Sequence, residues 1–342
     1  MGTQLKKRLI SAIEYLIFLG LGVGLLWLSF RKLDYLEIKQ DIMEADYYWL
    51  FIALIFAILS HIVRALRWNM LINAMGYKTR LSTTFFAVMI GYLANTAVPR
   101  MGEFMRCGVL SKKEKIPFNS LFGTVISERL IDLIMLFIII LLVIVFQIDL
   151  VGTFVGDIFT PIISSISSNI VTLALVIFGS IMLGLVSIWL VWKSREWIKR
   201  LKFYNKLRGF IDGLLEGIKT VMTMKKKGLF IVYSILIWLF YAIMVYLPVF
   251  MLQETTNLTF VDGLTILAIG SLGIVAPVPG GIGAYHFIVK SILVELYNIE
   301  ANAAGSFAAI THGGQTILNV VVGAFSYFYM MVVNKKQRPK NV

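Results

Sequence analysis

Apolar runs of about 20 residues recur along this chain, each long enough to cross the hydrocarbon of a bilayer as a helix. A chain of such runs must hydrogen-bond its backbone within itself, and helices packed side by side do so without edges. Composition agrees, with 58% hydrophobic residues. The first run, "AIEYLIFLGLGVGLLWLSF", follows Lys6, Lys7 and Arg8 and lacks a small-residue cleavage site. It therefore reads as a first helix over about 13–30 and not as a removed signal. In a soluble chain the net charge of +13 would suggest nucleic acid. Here Lys and Arg collect in short segments between the runs, the pattern of cytoplasmic loops, so no nucleic-acid partner is expected.

The charges set the topology. Lys6 to Arg8 put the N-terminus inside. The segment 31–46 carries five acids (Asp34, Glu37, Asp41, Glu44, Asp46) against three bases and reads as an outer loop. A second helix over about 47–68 returns to "RALRW", with Lys78 and Arg80 inside. The next run, 82–98, has bases at both ends: Arg100, Arg106 and then "SKKEK" at 111–115. A full crossing would strand those lysines outside, so 82–110 reads as a re-entrant hairpin broken at Pro99 and Gly102.

The second part of the chain repeats this order. A helix near 118–148 leads out, and no Lys or Arg occurs from Leu130 to Trp192. A helix over 170–192 returns to a basic stretch, and another from Leu229 to about Leu252 leads out again. No Lys or Arg occurs from Gly228 to Val289, and the last helix, about 303–333, ends inside at "KKQRPK". The segment 260–300, with "GIVAPVPGGIGAYHF", then reads as a second hairpin entering from the opposite face. The expected fold is one all-α polytopic membrane domain over 1–342, with about six full transmembrane helices and two re-entrant hairpins. Its halves, 9–148 and 170–333, form an inverted repeat, and Gly/Pro-broken segments in matching positions point to a transport site near the midplane. Both termini are cytoplasmic. The stretch 193–227 holds eleven Lys and Arg with apolar residues at helical spacing, and reads as a basic amphipathic helix on the inner interface.

Candidate site residues are the charges and turn residues at membrane depth, because ionisable groups there face a partner or a cavity. In the first hairpin, Arg100, Glu103 and Arg106 lie three apart, near Asn95. Either an arginine fork holds a phosphate while Glu103 neutralises the empty site, or the three form an ion pair that closes the hairpin. Glu128 and Asp132 share a helix face, with Arg129 beside them. Two acids on one face want a cation, which Arg64, Arg67 or a lipid amine could supply. Arg64 and Arg67 otherwise snorkel to the interface. In the second hairpin, Pro277, Pro279, Gly280, Gly281 and Gly283 permit a sharp turn, and the helix after it would offer free N–H groups to an anion. His286, His312 and Gln315 lie on this side, and a protonatable His286 would couple transport to protons. Three scattered histidines and the single Cys107 supply no metal set, and no cofactor is expected.

"RALRW" (Arg64, Arg67, Trp68), "NTAVPRMGEFMR", "SERLID" (Glu128, Arg129, Asp132) and "PVPGGIGAYHF" resemble the motifs of the lysylphosphatidylglycerol synthase transmembrane-region family. The resemblance runs from about 10 to 333, and includes the flippase half of the multiple peptide resistance factors. It implies a bacterial or archaeal cytoplasmic-membrane protein that moves a polar-headed lipid (anionic, aminoacyl or polyprenyl-phosphate) between leaflets. Where the resemblance leads one to expect a carboxylate after the "PGGIG" turn, this chain has His286. Implied partners are phosphate-bearing membrane lipids, with a homodimer and a separately encoded synthase left open. Synthase activity is not implied, and no nucleophile–base or nucleotide-loop pattern marks an enzyme. Two other readings stand beside it. An ion-coupled small-solute transporter fits inverted repeats equally. A polyprenyl-phosphate-sugar glycosyltransferase would use Glu44 and Asp46 to bind a metal.

Overall fold

The computed structural model of the chain describes residues 2–150, 224–275 and 278–336, together with Gly152, Phe178 and Met182. Every regular element among them is helical. Ten α-helices follow one another: α1 (Gly2–Phe30), α2 (Tyr35–Glu44), α3 (Tyr47–Ala74), α4 (Leu81–Ala97), α5 (Met101–Glu114) and α6 (Phe118–Phe146) come first. After the break come α7 (Lys227–Tyr246), α8 (Phe260–Val275), α9 (Ala284–Tyr297) and α10 (Ala301–Lys336). The helix expected over 170–192, nearly all of the basic segment 193–227, and Pro277 lie outside the described residues.

Four described helices are long and apolar enough to span a bilayer: α3, α6, α7 extended by the 3-10 turn Leu247–Met251, and α10. The α1–α2 pair makes a fifth if its bent halves count as one span. The expected count of about six is thus approximate, with 170–192 undescribed. The acidic outer segment is more than the expected loop. Asp34 caps α2 by accepting the Leu36 N–H at 2.7 Å, and α2 leaves α1 at 91°. Tyr35, Leu36 and Met43 are each more than 70% exposed, an apolar face turned away from the bundle.

The hairpins have the lengths that the charge pattern demands. Helices α4 and α5 have 17 and 14 residues, and at ~1.5 Å per residue neither crosses a ~30 Å hydrocarbon layer. Helix α9 has 14 residues, equally short. The paired arms of each hairpin pack on one another. Each half therefore reads span, hairpin, span: α3, α4–α5, α6 and then α7, α8–α9, α10.

Packing between the halves follows the same exchange. Helix α3 lies on α7, its own counterpart; α4 lies on α10 as α6 lies on α8; α3 meets α10 as α6 meets α7. A two-fold relation between the halves requires this set of pairs. Two apolar cores result. One gathers Ile139, Val143, Ile237, Ile266 and Phe307; the other gathers Trp68, Leu71, Val88, Leu121 and Phe230. Along α3, α6 and α7 the polar groups Arg64, Arg67, Glu128, Asp132 and Ser234 fall between the two, so a charged layer separates them.

Candidate functional site

Helices α3, α5 and α6 bring their charges to one place. Arg64 donates from Nη1 to Glu128 Oε1 at 2.8 Å and to Asp132 Oδ2 at 3.0 Å. One turn on, Arg67 Nη2 reaches Glu128 Oε1 at 3.1 Å and Asp132 Oδ1 at 2.6 Å. The two-acid face of α6 therefore takes its cations from α3. Neither arginine snorkels: Arg64 is 3% exposed and Arg67 fully buried. Arg106 comes in from α5 to 2.9 Å from Glu128 Oε2, an ion pair outside hydrogen-bond alignment, and its guanidinium lies 4.8 Å from the Trp68 ring centre. Trp68 is held by its indole N–H donating to Thr124 Oγ1 at 2.8 Å.

Glu103 pairs with neither Arg100 nor Arg106. It accepts Arg129 Nη2 at 2.7 Å, joining the hairpin to α6. This pair differs from the rest because the Arg129 side chain is 45% exposed and Glu103 22%. Arg129 Nη1 also lies 3.6 Å from Asp132 Oδ2. The ion-paired cluster holds four guanidiniums (Arg64, Arg67, Arg106, Arg129) and three carboxylates (Glu103, Glu128, Asp132), so one positive charge is in excess.

The first hairpin turns at Val98–Pro99–Arg100. Arg100 takes a left-handed conformation, φ 61, ψ 8, and begins α5. Asn95 Oδ1 accepts the Gly102 N–H at 2.7 Å, satisfying one donor that the helix start leaves open. Gly102 is required: a methyl there would drive into the Gly91 carbonyl and the Asn95 amide. In the second hairpin the Gly280 carbonyl meets His312 Nε2 at 3.0 Å, and His286 Nδ1 accepts the Gly283 N–H at 3.3 Å. The start of α9 is thus partly capped by its own histidine. Gly283 packs so closely on Gly22 of α1 that no side chain fits.

A cavity of about 660 Å³ joins the two hairpin tips. Of the residues singled out by sequence, Arg64, Asn95, Arg100, Glu103, Arg129, Asp132, Gly280 and Gly281 lie on its wall. Arg67, Arg106, Glu128, Pro279, Gly283 and His286 lie behind that wall and support it, through the ion pairs and backbone contacts just described. Among the described residues, every charged side chain on the wall belongs to the first half. Sequence reasoning missed Tyr241, whose hydroxyl accepts from Arg64 Nη2 at 3.0 Å, and Ser234, which accepts from Arg67 Nη1 at 3.1 Å. A lone hydroxyl in an apolar run gave little signal for either. Of a polar stripe on α10 it named His312 and Gln315 but not Thr316 and Asn319; all four line the cavity, and their spacing of three, four and seven was a readable one-face pattern. Among the described residues no group of His, Cys, Asp and Glu could hold a metal ion.

The family described as "Lysylphosphatidylglycerol synthase TM region" matches residues 12–323. A UPF0104 membrane protein of Methanothermobacter thermautotrophicus is 24% identical over 291 residues, 80% of this chain and 82% of that one. A second UPF0104 membrane protein, from Methanocaldococcus jannaschii, is 28% identical over 130 residues, 37% of this chain and only 36% of that relative. No solved structure matches the chain. With its apolar helices, two broken hairpins and motifs matched almost end to end, this multi-pass membrane protein belongs to the lysylphosphatidylglycerol synthase transmembrane-region family, whose name ties it to lipid handling.

Proposed function

We propose that the protein carries a phosphate-bearing, polar-headed lipid between the leaflets of a prokaryotic cytoplasmic membrane, leaves it chemically unchanged, and keeps both termini inside. The carrying observation is the cavity: it runs from the tip of one re-entrant hairpin to the tip of the other, and an ion cluster with one excess positive charge borders it. A buried anion needs paired donors. Arg129 supplies them at the wall, because its present partner Glu103 is the least buried acid of the cluster and a phosphate can take its place. The inner pairs, from Arg64, Arg67 and Arg106 to Glu128 and Asp132, hold α3, α5 and α6 in register. Phe104 lines the cavity and is 51% exposed, which favours a path open sideways to acyl tails.

The test is leaflet exchange of a fluorescent phosphatidylglycerol in proteoliposomes of the purified protein. Exchange should exceed that of protein-free vesicles, with the lipid intact by mass spectrometry. Arg129→Gln should slow it about tenfold, the worth of one charge-assisted contact. Exchange at the protein-free rate for anionic, aminoacyl and polyprenyl-phosphate lipids, with a proton gradient supplied, would favour a solute transporter.

A further inference from the structure

Helix α2 lies apart from the cavity and contributes nothing to its lining. It leaves α1 at 91°. The run of α1 from Ala12 to Phe30 already covers ~28 Å, close to the hydrocarbon thickness, so α2 is not needed to complete a crossing. Crossing helices tilt by ~20° on average, so a helix at right angles to one lies near the membrane plane. The second half of the chain fixes its place. The Asp34 N–H donates to Asn302 Oδ1 of α10 at 2.9 Å, and Asn302 Nδ2 donates to Glu37. Lys290 of α9 donates to the Ser29 carbonyl at 2.7 Å and so caps the end of α1.

At ~100° per residue the ten positions of α2 divide into three faces. Buried Ile38 and half-buried Asp41 mark the flank against the bundle. Tyr35, Leu36, Ile42 and Met43 fall together on a second face, all exposed. Glu37 and Glu44 fall on a third, nearly opposite the apolar one. Lys39 is the one charge on the apolar face, three or four positions from each of its members. A helix half sunk at the membrane–water boundary beside a bundle has three surroundings in this order: protein on a flank, lipid below, water above. The aromatic residues at its ends mark the same depth independently. Trp27, with the Arg31 guanidinium 4.9 Å from its ring centre, is exposed before α2, and Tyr47 and Tyr48 are exposed after it. Trp and Tyr gather at headgroup level because their rings are amphipathic. A second copy fits the face poorly. A two-fold contact through it would set Lys39 against Lys39, with no carboxylate on that face to separate them.

We propose that α2 is an interfacial anchor. Its apolar face sinks into the leaflet where α1 ends, the outer one in the proposed topology, and Lys39 reaches up to a lipid phosphate. The partner is the phospholipid surface itself, so the proposal does not depend on the lipid-transport reading.

Nitroxide labelling of the full-length protein in phospholipid nanodiscs tests it. Leu36→Cys, Met43→Cys and Glu44→Cys are made singly in a Cys107→Ser background; all three sites are exposed, and gel filtration confirms that each variant is folded. Labels at 36 and 43 should collide more with oxygen, which partitions into acyl chains, than with a water-soluble nickel chelate. The label at 44 should show the reverse. Adding Lys39→Glu should lift the label at 43, lowering its oxygen collisions and raising those with nickel. Nickel dominating at 36 and 43 overturns the proposal and makes the face a site for a water-soluble partner. Oxygen dominating at 44 as well overturns the half-sunk placement. Spin–spin broadening between copies labelled at 43 overturns the proposal in favour of self-association. No response to Lys39→Glu overturns the lysine–phosphate contact.

Discussion

Arg100 and Gly280 hold the same backbone conformation at the tips of the two hairpins, φ 61, ψ 8 in one and φ 60, ψ 7 in the other. Each follows a Val-Pro pair whose valine is extended, Val98 and Val278. The turn is repeated, but one copy uses glycine and the other bears an arginine where glycine is at ease. A left-handed non-glycine residue costs about 1–2 kcal/mol, and such strain persists where the side chain has work to do. Arg100→Gly should therefore leave stability within about 1 kcal/mol of the parent while slowing lipid exchange. Gly280→Ala should cost about 1 kcal/mol. Buried Cys107 is the chain's single cysteine, so a thiol-reactive dye followed on heating reads both. A loss well above 2 kcal/mol for Arg100→Gly would make its guanidinium a structural part.

Glycine pairs set how closely the hairpin arms meet. Gly102→Ala should destabilise by about 1–3 kcal/mol or prevent folding, because its methyl has no room against the Gly91 carbonyl. Gly108→Ala, on the same helix with nothing within 4 Å, is the control and should be neutral or slightly stabilising. Equal melting curves for the two would mean that α4 and α5 do not pack this closely.

The ion pairs should divide by burial. Glu128 is wholly buried between three arginines, so Glu128→Gln strands positive charge and should cost about 3–5 kcal/mol. Glu103→Gln breaks a half-exposed pair and should cost under about 1 kcal/mol. It also frees Arg129, so affinity for phosphatidic acid should rise. Should Glu103→Gln weaken phosphate binding instead, Glu103 is a ligand contact and not the phosphate's competitor.

Topology can be read by cysteine labelling in a Cys107→Ser background. Lys112→Cys should resist an impermeant reagent added outside intact cells, and Glu254→Cys should react. Glu254 is chosen over its neighbour Thr255, which is fully buried with its hydroxyl donating to the Val249 carbonyl at 2.6 Å. External labelling of Lys112→Cys would end the re-entrant assignment.

Much of the fold was legible because bilayer physics writes it in long runs. Apolar length marked α3, α6, α7 and α10, and the lysines after the 82–98 run marked the first hairpin. Helix α2 was hidden because the five acids of 31–46 read as a solvated loop and its ten positions are too few to span a bilayer. The charged residues were found, but the partner of Glu103 was not. Spacing along one helix made Arg100 and Arg106 the obvious partners of Glu103, whereas the packing of α5 on α6 gives it Arg129. Arg64 and Arg67 read either as cations for the two-acid face or as interfacial, and the placing of α6 beside α3 decides for the first. One-helix geometry reveals which side chains share a face; which face meets which is decided by close contacts such as Gly91 on Gly102.

The two-fold relation covers shape and not charge. Both hairpins present the same turn, yet every charged side chain described on the cavity wall comes from the first half of the chain. In the proposed transport, an anion moving along this path meets a potential well at one end. By detailed balance such a well cannot drive net flux. In the proposed transport it would fix instead where a loaded carrier pauses: the ligand would rest by the arginines whichever leaflet supplied it, and departure from there would set the turnover in both directions.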